Sequence, residues 1–191
     1  MKKRLIGIIL LLLISTTNVY ADSVEVKLKK CVDGDTARFI IDNEVKSVRF
    51  LAINTPEIKH GKKKAEPYGV EASKYTCKKL KNAKEIKLEY DDNSDETDKY
   101  GRVLAWIFVD DELLQSSLIK EGYAEVKYLY GDYKYTKKLQ KQEKKAKKDK
   151  LNMWSDDTYK NENDEDSIDN FLDEILDDLF KFIRKKIKSM L

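Results

Sequence analysis

Three short segments of this chain crowd together side chains that bind cations or phosphate. Cys31-Val32-Asp33-Gly34-Asp35-Thr36 sets a carboxylate on each side of a glycine. A glycine there can take a positive φ and turn both acids toward one point at the end of a strand. The same residues by themselves also make an ordinary hairpin turn. Arg49-Phe50-Leu51-Ala52-Ile53-Asn54-Thr55-Pro56-Glu57 ends a strand pattern with an amide oxygen, a backbone carbonyl and a carboxylate within four residues. Together with Asp35, these make an all-oxygen donor set of the kind a hard cation such as Ca²⁺ takes. Thr97-Asp98-Lys99-Tyr100-Gly101-Arg102 places Lys99, Tyr100 and Arg102 around a turn just ahead of an apolar strand, three side chains able to hold phosphate.

Composition narrows the remaining chemistry. The chain has 191 residues, 41% of them hydrophobic, enough for one domain with appendages. A charged fraction of 38% excludes a multi-span membrane protein, and 11 Tyr, 6 Phe and 2 Trp exclude a wholly disordered chain. The single histidine, His60, excludes a His-rich zinc site and argues against a Ser-His-Asp arrangement. Any hydrolytic chemistry therefore runs on carboxylates, Arg, Lys and Tyr.

The elements that must position these groups follow from periodicity. Val24, Val26 and Leu28 alternate with charged residues, as do Val45 and Val48 into Phe50, and Ile86, Leu88 and Tyr90. Residues 37–41 and 103–109 are more continuously apolar, as strands buried on both faces would be. Asp33-Gly34, Asp42-Asn43 and the polar run 91–99 separate them. Five such strands predict a small antiparallel barrel. Three helices are expected: one from near Pro67 to Lys81, one over 112–121 ending at Gly122, and one over 135–148. The last carries a lysine run with only Leu139 and Ala146 as apolar interior positions. That run reads equally as a solvated helix face or as a surface that attracts phosphate.

Outside this body, residues 1–21 read as a secretory signal peptide. Lys2, Lys3 and Arg4 precede ten apolar positions, Leu5 to Ile14, and small residues lead to Ala21. Ten residues fall well short of the roughly 20 that a spanning helix needs. The chain's net charge of +3 is the charge of this leader; without it, 35 basic and 35 acidic side chains remain. Residues 161–191 hold nine acids against five bases, leaving 30 bases against 26 acids in residues 22–160. An acidic linker at 157–166 precedes an amphipathic helix over 167–191, whose stripe includes Ile168, Phe171, Leu172, Ile175, Leu176, Leu179 and Ile183. Docking on the body, self-association, attachment to a membrane surface and binding of a separate partner are all open to it. Export takes Cys31 and Cys77 into an oxidising compartment where they could pair, a question of geometry that spacing leaves open.

Taken together and in order, the motifs identify a family. Asp-Gly-Asp-Thr at 33–36, Arg49 followed by Asn-Thr-Pro-Glu at 54–57, Tyr68-Gly69 with Glu71-Ala72-Ser73, and Thr-Asp-Lys-Tyr-Gly-Arg at 97–102 resemble the staphylococcal-type thermonucleases. So do Gly122-Tyr123-Ala124, Tyr128-Leu129-Tyr130 and Lys150-Leu151-Asn152-Met153-Trp154. The resemblance implies an α+β domain over residues 22–156, a five-stranded OB-fold β-barrel with three helices, to which the C-terminal amphipathic helix is added. It also implies a secreted, largely monomeric Ca²⁺-dependent nuclease that cuts the P–O5′ bond of DNA and RNA and leaves 3′-phosphate ends. Asp35, Asn54 and the Thr55 carbonyl match metal ligands, with Asp33 behind them. Glu57 matches the residue that orients or deprotonates water, and Arg49 and Arg102 match those that bind the scissile phosphate. Lys99, Tyr100 and Tyr128 match contacts to the neighbouring phosphate and sugar.

Charge logic agrees, because phosphoryl transfer gains mostly from neutralisation and positioning and needs no histidine. A non-catalytic OB-type nucleic-acid-binding module is the alternative; it would have no use for the Asp35, Arg49, Glu57 and Arg102 constellation. Two departures stand out. Asn54 occupies a position that is aspartate in the best-known relative, which predicts weaker metal binding with activity retained. The loop 91–99 is one residue longer.

Overall fold

A computed structural model describes residues 23–58 and 64–155. The leader, the acidic linker, the C-terminal helix, His60 and most of the Lys59–Lys64 cluster lie outside the described residues. Among the described residues, no helix is long and apolar enough to cross a membrane.

The strands are β1 (Ser23–Glu25), β2 (Lys27–Cys31), β3 (Thr36–Ile41), β4 (Glu44–Phe50), β5 (Ile53–Asn54), β6 (Ile86–Glu89), β7 (Val103–Val109), β8 (Glu112–Leu113) and β9 (Glu125–Val126). The helices are α1 (Gly69–Asn82), α2 (Leu114–Lys120) and α3 (Thr136–Lys148), followed by a 3₁₀ turn at Asn152–Ser155. The result is a mixed α+β domain with the three expected helices.

The main sheet runs β1-β6-β7-β4-β3-β2, with β8 added to β7. The single strand expected over residues 24–28 is two strands parted at Val26. Its halves pair with opposite ends of the path, β1 with β6 and β2 with β3. The expectation of a wholly antiparallel arrangement also needs correction. β4 and β7 run parallel, with Val48 opposite Val103 and Phe50 opposite Ala105. A parallel pair needs a long crossover, and residues 51–102 supply one that contains α1 and β6.

Local chemistry explains the joints. Asp42 and Asn43 both have positive φ, 52° and 64°, and form a two-residue hairpin between β3 and β4. Such mirror-image turns match the twist of the flanking strands. Asp110 and Asp111 repeat the device at 49° and 65°. That hairpin draws Glu112 and Leu113 into β8, so α2 begins at Leu114 and not at the expected residue 112. Gln115, fully buried, donates to Ala105 O and accepts from Ile107 N, which satisfies the β7 backbone where it meets α2.

The core lies between sheet and helices around Phe39, Phe50, Leu88, Trp106, Ile107, Leu118, Ile119 and Leu139. Asp91 accepts from Trp106 Nε1 and from Lys134 N, both at 2.8 Å, tying the polar loop after β6 to the entry of α3. α3 buries Leu139 and Ala146, while Lys137, Lys138, Lys141, Lys144, Lys145, Lys147 and Lys148 all face solvent. Met153 and Trp154 form a smaller cluster with Ala146 and Tyr68.

Candidate active site

Asp35 is the hub. It ends the loop between β2 and β3, is 5% exposed, and its backbone carbonyl accepts from Phe50 N at 2.9 Å. Its Oδ2 meets Arg49 Nη2 at 3.0 Å and Thr55 N at 3.0 Å, and its Oδ1 accepts from Thr36 Oγ1 at 3.1 Å. Register explains the meeting, because Thr36 at the start of β3 stands opposite Arg49 near the end of β4. Two residues that precede and follow a hairpin are thereby set side by side, 14 positions apart in the chain.

The reason for Gly34 differs from the expected one. Among the described residues the positive-φ glycines are Gly101 and Gly122, so Gly34 is not there for a left-handed turn. A Cβ at Gly34 would lie 2.5 Å from Thr55 Oγ1 and 2.8 Å from Thr55 Cβ. Glycine is required because the acidic loop packs directly against Thr55. The loop closes on itself as well, since Asp33 Oδ1 accepts from Asp35 N at 3.1 Å.

Burial pushes the Asp33 carboxyl up to about 7, with the neighbouring Asp35 carboxylate adding to the rise and Glu57 contributing further; the hydrogen bond from Asp35 N and the Arg49 charge offset only part of it. Two buried acids thus lie close together with a third carboxylate near them. Hard oxygen donors only, with this much negative charge, fit a divalent cation. Among the described residues, no three His, Cys, Asp or Glu side chains cluster closely enough to hold a metal ion. An ion would therefore rely on Asp35, on neutral oxygens such as the Thr55 carbonyl and the Asn54 amide, and on water. Asn54 lies on β5 and donates through Nδ2 to Glu125 Oε1 at 3.1 Å, which leaves its Oδ1 for a cation.

Glu57 is exposed and follows Pro56. Its backbone is fixed from both sides by Glu66, whose Oε2 accepts from Glu57 N at 2.8 Å and whose N donates to Glu57 O at 2.9 Å. The chain then enters α1 two residues after Pro67, through Tyr68 in the left-handed region. A Cβ on Gly69 would stand 2.3 Å from Glu57 O, so glycine is what allows the helix to begin against the Glu57 carbonyl.

Arg49 donates a second bond, from Nη1 to Phe50 O at 2.8 Å, and its guanidinium stacks over the Tyr128 ring at 5.4 Å. Tyr128 reaches it because β9 pairs with β5, Lys127 N donates to Ala52 O, and Tyr128 itself takes φ 59°. Its ring remains 46% exposed.

A second cluster sits at the start of β7. Asp98 Oδ1 accepts from Tyr100 N and Arg102 N, both at 2.9 Å, while Oδ2 accepts from Arg102 Nε at 2.6 Å. Burial pushes the Asp98 carboxyl up, but the hydrogen bonds from Arg102 and Tyr100 outweigh it and hold it below the ordinary value. Arg102 lies over the Tyr100 ring at 5.5 Å and Lys99 Nζ over the same ring at 5.2 Å, with Tyr100 72% exposed. The two clusters are linked by strand register. Arg49 stands opposite Leu104, and Arg102 is two residues before Leu104. The register of β4 against β7 therefore sets the Arg49 backbone beside the segment that leads from Arg102 into β7.

Direct contacts thus join Asp35, Arg49, Thr55 and Tyr128, and separately Lys99, Tyr100 and Arg102. Asp98, Glu66, Glu125 and Thr76 were given no role by sequence reasoning. Their signal is a contact between distant segments, or in Asp98 a turn geometry, and spacing carries neither. Cys31 and Cys77 form a disulfide with their Cα atoms 5.6 Å apart.

Known proteins are similar to this chain in sequence. The family described as staphylococcal nuclease homologue matches residues 47–156, a span that holds Arg49, Glu57, Arg102 and Tyr128. The SPbeta prophage-derived endonuclease YokF of Bacillus subtilis (strain 168) is 43% identical over 137 residues, covering 71% of this chain and 46% of that protein. Endonuclease YncB of the same strain is 42% identical over 137 residues, 71% of this chain and 64% of its own length. This chain therefore spans less than two thirds of either Bacillus protein. The thermonuclease of Staphylococcus intermedius is 37% identical over 140 residues, 73% of this chain and 80% of the thermonuclease. A match over more than half of the chain, together with a relative covered along most of its length, places this protein in the staphylococcal nuclease homologue family.

Proposed function

We propose that this chain is a Ca²⁺-dependent nuclease that hydrolyses the P–O5′ bond of DNA and RNA and leaves 3′-phosphate products, built on an OB-type barrel. One observation carries the reading: two guanidiniums at the adjoining strands β4 and β7, each gripped by a carboxylate and backed by an exposed tyrosine ring. A phosphodiester is an anion that repels its nucleophile, and two such forks neutralise and orient it in a way lysine cannot copy.

Arg49 and Arg102 bind the non-bridging oxygens of the scissile phosphate and hold the charge that grows in the five-coordinate transition state. Asp35, the Thr55 carbonyl and Asn54 would hold Ca²⁺, which when bound would supply further charge neutralisation. Glu57 orients or deprotonates the attacking water, aided by its fixed backbone. Lys99, Tyr100 and Tyr128 contact the flanking phosphate and sugar. The leader at residues 1–21 directs the chain out of the cell, where the excess of bases in the body attracts a polyanion. The stripe at 167–191 docks on the body or a second copy, or rests on a membrane surface; vesicle co-sedimentation with and without residues 161–191 separates these.

The test is incubation of the full chain with single-stranded DNA plus Ca²⁺ or plus chelator, followed by end-group analysis. Ca²⁺-dependent cleavage with 3′-phosphate ends is expected. Cleavage that survives chelation, or 5′-phosphate ends, overturns the mechanism. Tight binding without cleavage would favour the non-catalytic alternative.

A further inference from the structure

We infer that the Cys31–Cys77 disulfide and the Thr76 hydroxyl act together as a clamp, through which α1 holds the Asp33–Asp35 loop in its cation-binding form. Cys31 lies two residues before Asp33, and Cys77 lies on α1. The adjacent Thr76 is fully buried and donates from Oγ1 to Gly34 O at 2.6 Å. Two neighbouring helix positions therefore grip the loop at two points, one covalently just ahead of the acids and one at the glycine between them.

The loop needs such a hold. It carries two acids with a single residue between them, and β2 before it is irregular, with its register against β3 shifting between Leu28 and Lys30. On its other side Gly34 presses against Thr55, whose N–H holds Asp35 Oδ2. The loop is thus packed between Thr76 and Thr55, and releasing the helix side frees Gly34 to withdraw from Thr55. The same helix begins at Gly69 against Glu57 O. Seven residues of α-helix, about 10 Å, then separate the anchor of Glu57 from the anchor of the acidic loop. α1 acts as a ruler between the water-activating carboxylate and the cation-binding one. Cys31, Cys77, Thr76 and Gly69 are positioning residues on this reading, which rests on the function proposed above.

The clamp is tested in the full chain by replacing the bridge (C31A with C77A) and, separately, by Thr76→Val and the conservative Thr76→Ser. Hydrogen exchange is followed in chelator at the amides of Val32, Asp33 and Asp35, which bond to Thr36 O, Thr36 O and Asp33 Oδ1. Amides of β7 serve as the internal reference for global stability. Ca²⁺ affinity is measured by calorimetry without substrate.

The bridge-free and Thr76→Val proteins are expected to exchange these loop amides roughly tenfold faster with β7 unchanged. They should bind Ca²⁺ roughly tenfold more weakly, as expected when the binding-competent form falls to about a tenth of the population. Thr76→Ser should restore both. Unchanged loop exchange in a folded variant overturns the clamp; should the bridge-free protein fail to fold, the Thr76→Val and Thr76→Ser pair decides alone. If the unaltered chain binds no Ca²⁺ while loop exchange still responds, the clamp stands and the metal-dependent reading falls.

Discussion

Replacing Asp98 by Asn isolates what a single carboxylate does for Arg102. Asp98 takes hold of Arg102 through Nε, at 2.6 Å, and leaves both Nη groups to face a phosphate. It therefore anchors the guanidinium and does not compete with substrate for the fork. Asn keeps an oxygen for the Tyr100 and Arg102 amides, so the turn survives, but it loses the charge and can set an amino group against Nε–H. A hydrogen bond between charged groups is worth about 1.5–3 kcal/mol. Arg102 is 32% and Asp98 17% exposed, so solvent screening cuts that to about 1–1.5 kcal/mol. If the loss falls on the transition state, kcat drops roughly five- to tenfold, at 1.36 kcal/mol per factor of ten. Steady-state kinetics on a short single-stranded oligonucleotide with saturating Ca²⁺, beside a urea titration, give the measurement. A kcat within about twofold of the parent refutes the anchoring argument. A rise in kcat would show that Asp98 competes with the phosphate.

Four further outcomes are expected. Arg49→Ala and Arg102→Ala each lower turnover by roughly 10²–10⁴-fold, the scale of losing preorganised charge stabilisation, measured on protein shown to be folded and saturated with Ca²⁺. Asn54→Asp adds a negative charge to the donor set and tightens Ca²⁺ in a calorimetric titration; unchanged or weaker affinity would remove Asn54 as a ligand. Gly69→Ala drives a Cβ into the Glu57 carbonyl and destabilises the chain by about 1–3 kcal/mol, seen as a lower urea midpoint, with a fall in kcat as Glu57 shifts. Asp98 has a folded-state pKa below its ordinary 3.8, so the stability it contributes is present above that value and is lost as pH falls through the lower, folded pKa. A carboxyl titration by NMR in the folded chain should find Asp98 below 3.8.

Much of this protein is determined locally and is legible from the chain. α1 and α3 match their expected extents to within two residues, and the Asp42-Asn43 hairpin follows from its turn chemistry. The motifs that carry charge were read from the order of residue types, because those types are what the chemistry selects. Tertiary structure decided the rest, since contacts between distant segments depend on register and packing. Val26 divides a strand that periodicity alone shows as continuous. The parallel β4–β7 pair sets Arg49 opposite Leu104, two residues past Arg102, and nothing in the spacing of residues 49 and 102 reports that. Gly34 and Gly69 are glycine because another backbone or side chain passes within 3 Å, not because of their own dihedrals. Cys31 and Cys77 lie 46 positions apart, and only the docking of α1 on β2 brings their Cα atoms to 5.6 Å. The sequence by itself settled which groups are available for chemistry, through their charge and hydrogen-bonding character. The fold alone settled which of them meet, because a meeting depends on distances that the linear order does not contain.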